Sequence, residues 1–491
     1  MKLNLHSEVR LLPFALVGVL LCFETGCKPK TDGAAQDNKL ASTNSLVERN
    51  ANSAAGLALE HDPAKRPLVL SQPASSRWQW VLQILKQGYL ETDRTNAEWD
   101  AKVQTAFEAF AQYSRISTTN WPQLKQALGA VQASCDDPMI QYMRVRYREQ
   151  VEPEGKTASD FVRVHEAMVR SHYHPVIKFF AGMRAAEAAR AADKHANPKY
   201  QIEHTTADLE DLARDTNAPV AEVFEAAGLW LDQSRSKEWI RFVTGDLEPI
   251  LKRDWGTNEQ WFHFEGKAEV WRGWGERGSG WASSVSDKGR EGFADHLDKA
   301  DQFLTKAWQM NSNNADTAYL MMQVELGQGQ GRTRMELWFN RTMSLDTNHY
   351  DAVKLMSFYL EPRWYGSEAQ TLAFARTCVA SEKWGGQVPL ILANLHRSLA
   401  TYSQMSNSPA YWHRPEVWRD VKSSYDKFFT SYPDASDWRH NYARDAYDCG
   451  QYAVFLEQTK LFTSWTNYSF FGGPEKFQNM LQTAVARRQG E

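Results

Sequence analysis

From Trp78 onward the apolar residues recur every three or four positions, the spacing of one helix face, and no segment alternates with a period of two. Trp99, Val103, Phe107 and Phe110 form one such stripe, and Leu124, Leu128 and Val131 form another. Helix starts are punctuated as the backbone requires. Asn120-Trp121-Pro122 and Asp137-Pro138 place a side-chain acceptor before an early proline whose missing N–H costs nothing there. The pattern predicts further helices over Pro175 to Lys194, Pro219 to Gln233, Glu259 to Trp274, Arg290 to Met310 and Pro415 to Tyr432. Short connections between helices of this length predict antiparallel neighbours.

The chain also repeats itself. Ala307-Trp308-Gln309-Met310-Asn311-Ser312-Asn313-Asn314 aligns with Thr342-Met343-Ser344-Leu345-Asp346-Thr347-Asn348-His349 at an offset of 35 residues, and Asp316 matches Asp351 at the next start. Each block ends one amphipathic helix and precedes another. In the second unit Phe339 and Thr342 stand as a large and small pair, and Asp346-Thr347-Asn348 forms the turn. Tyr432-Pro433-Asp434, Tyr442-Ala443 and Gly450-Gln451-Tyr452 give the same order near the C-terminus. Leu355 to Leu360, Leu372 to Val379 and Val388 to Leu399 are helix-like but off this consensus. The arrangement resembles the tetratricopeptide repeat over about residues 290 to 465, with Thr347 and Gln323 departing from that family's usual choices. Trp271-Arg272-Gly273, Arg277-Gly278-Ser279-Gly280-Trp281-Ala282, Leu360-Glu361-Pro362-Arg363-Trp364-Tyr365-Gly366-Ser367 and Phe374-Ala375-Arg376 resemble an uncharacterised family of exported bacterial proteins built on such helices. Both resemblances imply an all-α fold, an α/α superhelix (a tetratricopeptide-like solenoid) of antiparallel helix pairs. The expected division is an N-terminal helical region at 77–257 followed by the repeat region at 258–491.

Residues 1–27 have the pattern of an export signal: Lys2 and Arg10 precede an apolar run from Leu11 to Phe23, too short to span a bilayer as a helix. It ends in Glu24-Thr25-Gly26-Cys27, which resembles the lipobox of bacterial lipoproteins and implies acylation of Cys27, although Glu24 stands where an aliphatic residue is usual. Residues 28–76 are rich in Ala, Ser, Asn, Gly, Asp and Lys and too poor in large apolar groups to offset the entropy of ordering. They are expected to act as a tether between a membrane-held anchor and a body in the periplasm or cell envelope. Cys135, Cys378 and Cys449 are odd in number and widely spaced, so they suggest small buried hydrophobes rather than disulfides or a zinc site.

Composition narrows the function. Ala far outnumbers Ile, a balance that favours helix over strand. Lys plus Arg is 56 against 60 Asp plus Glu, with a pI near 6.4, which argues against nucleic acid as a partner. The mean hydropathy of −0.57 argues against multiple membrane spans. No phosphate-cradling G-x-x-x-x-G-K-[ST] loop and no G-x-S-x-G elbow is present, and Gly327-Gln328-Gly329-Gln330-Gly331 lacks the strand and spacing of a dinucleotide loop. His165, His172 and His174 do not have the i, i+4 spacing of a helical zinc site, so no metal and no cofactor is expected. Acidic pairs such as Asp136 with Asp137, Glu210 with Asp211 and Glu265 with Glu269 have no scaffold that marks them as an acid and a base. Asp137 is better explained as a helix cap. No catalytic residue is assigned.

The unusual feature is aromatic: 19 Trp, 18 Tyr and 23 Phe, with several Trp beside Arg and Gly. Trp271, Arg272, Trp274, Arg277 and Trp281, together with Arg363, Trp364, Tyr365 and Trp384, are the candidate binding residues. Trp, Tyr and Arg are enriched at interaction hot spots. The expectation is a non-catalytic protein that binds an unknown protein partner, with a glycan as the alternative ligand. The rival is an α/α-toroid enzyme acting on polysaccharide, which would need its helices to close into a ring around two facing carboxylates.

Overall fold

The computed structural model describes residues 74–91, 99–113, 121–131, 133–151, 157–193, 197–234, 236–278, 280, 282–402, 409–433, 435–462 and 468–488. The leader at 1–27, Cys27 and Trp281 lie outside them. Every regular element among the described residues is helical. The N-terminal helices are α1 (Ala74–Leu90), α2 (Asp100–Tyr113), α3 (Trp121–Ala130), α4 (Pro138–Val151), α5 (Ala158–Val169), α6 (Pro175–Ala192) and α7 (Lys199–Arg214). The middle holds α8 (Val220–Leu231), α9 (Lys237–Trp255), α10 (Glu259–Arg277), α11 (Asp287–Met310), α12 (Ala315–Gln328), α13 (Arg332–Leu345) and α14 (Tyr350–Tyr359). The chain continues through α15 (Glu368–Ala380), α16 (Ile391–Tyr402), α17 (Pro409–Trp412), α18 (Pro415–Ser431), α19 (Ser436–Asp448), α20 (Tyr452–Thr459) and α21 (Pro474–Arg488). Three short 3-10 turns, Ala282–Ser284, Val388–Leu390 and Tyr468–Phe471, complete it. The first helix begins at Ala74, so the last three residues of the segment taken as a tether are helical.

Caps explain where these helices begin. Asp137 Oδ1 accepts from the backbone N–H groups of Met139 and Ile140, and Ser236, Asn258, Ser286, Asn314 and Ser367 act likewise for later helices. The 35-residue repeat is visible in the turns themselves. Asn311 (φ −145°, ψ 93°) ends α11 and donates its N–H to Ala307, and Asp346 (φ −133°, ψ 99°) ends α13 and donates to Thr342. The side chains of Asn311 and Asp346 then accept from the N–H two residues on, so matching sequence gives matching turns. Gly329 ends α12 at φ 64°, a left-handed conformation that favours glycine.

Successive helices pack as antiparallel pairs, and the pairs stack into an α/α superhelix. The even-numbered helices α6, α8, α10, α12 and α14 touch one another in succession, as do the odd helices α5, α7 and α9, whereas α11, α13 and α15 make no comparable contacts with each other. From α10 to α14 the stack therefore closes more tightly on the even row. The substantial packings among the described residues join helices no more than three places apart, the pattern of an open stack. One apolar core runs without interruption from Val81 to Leu395, and two smaller clusters extend it through α21. Close approach fixes the spacing of α10, α11 and α12: a Cβ on Gly266 would stand 2.6 Å from Leu304, and one on Gly327 would stand 2.3 Å from Leu297. Cys135, Cys378 and Cys449 are unpaired and buried within this core, and burial pushes the Cys378 thiol up to about 12. Among the described residues no helix is long and apolar enough to cross a membrane.

Candidate functional site

The last turns of α10 carry four of the sequence candidates, and their position along the helix and the neighbours there decide which join the core and which reach the rim. Trp271 is 3% exposed, and its indole N–H donates to Asp232 at 3.0 Å, the carboxylate that also holds Lys267. It packs the core. Arg272 is the centre of a mostly buried charge network: it pairs with Glu248 on α9, with Glu265 at 3.0 Å and with Glu269 at 2.7 Å. His296 Nδ1 on α11 lies 2.6 Å from Glu269. Burial and the nearby Glu248 push Glu265 up to about 7. Burial opposes ionisation of Glu269 too, but the His296 hydrogen bond and the Arg272 charge outweigh it and hold that carboxyl below its usual range. Arg272 thus ties α9, α10 and α11 together, and the Glu265 and Glu269 pair is occupied by it.

Trp274 and Arg277 lie nearer the end of the helix, at the rim where the even helices end. Trp274 meets Phe293 edge to face at 5.0 Å and Trp364 at 6.3 Å. The Arg277 guanidinium lies 5.7 Å from the ring centre of each indole, within cation–π range of both. It donates to the carbonyls of Gly278 at 3.1 Å and Gly280 at 3.2 Å, and no carboxylate among the described residues pairs with it. Placed in the last turn of α10, it also meets the negative end of the helix dipole. Trp364 packs against Phe358, and Arg363 covers the other part of this group, its guanidinium 4.8 Å from the Phe358 ring while it pairs with Glu361. Tyr365 stacks on Tyr359 at 4.7 Å, donates its hydroxyl to the Leu326 carbonyl at 3.1 Å, and stays 44% exposed.

Three segments therefore build one patch: the end of α10, the end of α12 and the loop after α14. These helices belong to one row and run the same way, so their C-terminal ends share a rim. Trp384 is on the opposite rim, between α15 and α16, where it packs edge to face on Phe339 at 5.5 Å beside the turn whose Thr347 carbonyl accepts from Gly385 N–H. The structure brings Trp274, Arg277, Arg363, Trp364 and Tyr365 together and leaves Trp271, Arg272 and Trp384 elsewhere.

Other polar groups that sequence reasoning did not single out repeat the Arg272 theme along the stack. Arg334 pairs with Asp301 at 2.8 Å and with Glu325, whose burial pushes it up to about 7. Asp420 accepts from Arg376 and lies 3.1 Å from His396 Nε2, and Asp445 accepts from Arg397 and from the Tyr425 hydroxyl. Each set joins different helices, and no local motif marks it. His165 is fully buried against Gly182 with both ring nitrogens unpartnered, and burial pushes it down to about 4. His174 caps α6 and contacts Asp215 at 3.0 Å, while His172 is exposed. Among the described residues no three His, Cys, Asp or Glu side chains are placed to hold a metal ion. Compared with known proteins, the sequence matches no family model and no curated protein.

Proposed function

We propose that this chain is an exported, non-catalytic helical-repeat protein, held to a membrane through acylated Cys27, that engages a protein partner through the rim formed by Trp274, Arg277, Trp364 and Tyr365. One observation carries this reading. A guanidinium without a carboxylate partner among the described residues sits against two indoles beside a half-exposed tyrosine, and all four groups come from helix ends of one row. Large rigid rings and a planar cation lose little entropy on contact, which makes them efficient anchors for a partner surface. Stacked helix pairs supply the support, because each pair needs its neighbours to bury its apolar faces and so holds the rim in place.

The test is affinity capture from detergent-solubilised membranes of the native host, comparing the wild-type chain with an Arg277→Gln, Trp364→Leu double variant. The reading expects a discrete partner whose recovery falls at least about tenfold with the variant, since hot-spot residues each contribute more than about 1 kcal/mol. Equal recovery by both chains overturns it. Retention of the wild-type chain on a polysaccharide resin, lost with the same variant, would give the rim to a glycan instead. For the anchor, Cys27→Ser is expected to abolish incorporation of labelled palmitate and to move the chain from the membrane to the soluble fraction.

A further inference from the structure

A second feature, at the rim where even helices end and odd helices begin, is not used by the rim patch. The end of α6, the start of α7, the end of α8 and the start of α9 enclose an open groove of about 610 Å³. Its wall carries the Arg190 guanidinium, 5.5 Å from the ring centre of Trp239. Arg190 is half-buried, and among the described residues it has no ion pair and no hydrogen bond to a carboxylate. Glu187, the carboxylate whose charge acts on Arg190, is engaged by Arg184 at 2.8 Å and by Gln233 at 3.0 Å. Phe242, one turn after Trp239, leaves 41% of its surface exposed on the same wall, and Asn197, Gln233, Ser234 and Ser236 add hydrogen-bonding groups. The groove also contains Glu203 and Glu238. Glu203 lies 3.5 Å from Lys199, and Glu238 stands in the first turn of α9, where the helix dipole favours a negative charge. Among the described lining residues Arg190 is then the cation without an ion pair, and Glu187, whose charge acts on it, is already paired with Arg184.

A partly desolvated guanidinium is stabilised by a carboxylate, which it can grip through two parallel hydrogen bonds. The exposed ring beside it favours an apolar side chain next to that carboxylate. We propose that this groove binds an acidic polypeptide segment, Arg190 taking a carboxylate side chain and Phe242 an adjacent aliphatic one. The inference rests on the reading of the chain as a protein-binding scaffold and gives the partner a chemistry. Arg190 ends α6 and Arg277 ends α10, two helices of the same row that run the same way, so both arginines stand at one rim and an extended partner could meet both.

The full chain in detergent is titrated with fluorescently labelled, blocked pentapeptides of sequence Gly-Leu-Asp-Leu-Gly and Gly-Leu-Asn-Leu-Gly, which differ by one carboxylate. The wild type is expected to favour the Asp peptide by about tenfold, the scale of one charge-assisted hydrogen-bonded pair, with the preference shrinking as salt is raised. Arg190→Gln is expected to bring the ratio near one, and Phe242→Ser to weaken both peptides about equally. Circular dichroism melts of both variants check that the stack is intact, and Arg190→Lys is expected to keep a reduced preference because the charge remains and the fork is lost. Equal affinities in the wild type, a preference that survives Arg190→Gln, or no binding of either peptide at millimolar concentration overturns the proposal. So does Arg190-dependent binding of an oligouronate in place of the peptides. The rim capture experiment is independent: a partner lost with Arg277→Gln and Trp364→Leu, combined with failure here, would leave the scaffold reading in place and remove only the groove.

Discussion

Replacing Arg272 by Met removes the one cation among the described residues shared by Glu248, Glu265 and Glu269, and leaves three carboxylates with 26%, 10% and 7% side-chain exposure near one another across α9 and α10. The methionine keeps most of the stem volume, so the loss is electrostatic. Breaking a buried ion pair from one side typically costs roughly 3–5 kcal/mol, because the abandoned charge stays in a poorly solvated place. At pH 7.5 the variant is expected to lose about that much. The sign of the pH dependence follows from the carboxyls. Burial and Glu248 already raise Glu265, and without Arg272 it loses the cation that lowers it, so its folded-state pKa in the variant stands further above the unfolded value of 4.5 and between neutrality and that value the folded variant binds more protons than the unfolded chain. Its stability therefore rises as the pH falls through this window, each raised unit contributing about 1.4 kcal/mol. Wild-type Glu269 behaves oppositely: its pKa is held low, so its contribution is complete above the unfolded value and is lost only as the pH falls through the lower folded one. The gap between variant and wild type should narrow markedly from pH 7.5 to pH 5. Urea unfolding followed by circular dichroism at both pH values measures it, and Arg272→Met with Glu265→Gln and Glu269→Gln should restore most of the loss. A variant as stable as wild type at pH 7.5, or a deficit that does not change at pH 5, refutes the reasoning.

Glu325 is expected to show the pH effect of a raised carboxyl in the wild-type chain: its pKa near 7 makes the fold more stable as the pH falls from about 8 toward 4.5, and Glu325→Gln should flatten that slope in thermal melts. His165 gives the opposite sign. Its folded value near 4 lies below the ordinary 6.5, so the stability it allows is complete above 6.5 and lost as the pH falls toward 4, and His165→Leu should remove that part of the acid destabilisation. Gly266→Val should lose about 2 kcal/mol or more by melting, because the new side chain meets Leu304 where even a Cβ would stand at 2.6 Å. Asp137→Ala should cost about 1–2 kcal/mol, since it removes both α4 capping bonds and the acceptor of the Tyr173 hydroxyl at 2.9 Å.

Local chemistry was the part legible in the sequence. Asp137 before Pro138 announces a cap and is one, and the block Ala307 to Asn314 shares its turn geometry with Thr342 to His349, because backbone turns are set by a few adjacent side chains. No helix is predicted from the sequence over α9, which carries Pro249 in its interior. Gly245, four residues earlier, loses its backbone donor there yet has open space around it, while Trp239, Ile240, Val243, Leu247, Ile250 and Leu251 bury the face that holds the helix in place. The candidate residues illustrate the limit more sharply. Trp271 and Trp274 are one turn apart on α10, yet the first bonds Asp232 within the core and the second meets Phe293 at the rim, whereas Trp274 and Trp364 are 90 residues apart and touch. Whether an arginine is a structural hub like Arg272 or a cation awaiting a partner like Arg190 depends on which carboxylates the stack brings to it, and that is decided by tertiary packing.

Docking of another protein on the rim at the ends of α10, α12 and α14 is checked by site-specific photo-crosslinking. A benzophenone amino acid is placed at Tyr365 on the rim or at Leu337, a 37% exposed position on α13 outside the even row. The account predicts a discrete crosslinked product in native membranes from position 365, lost when Arg277 is replaced by Gln, and none from position 337. Equal products from both positions, or a product at 365 indifferent to Arg277, would contradict it.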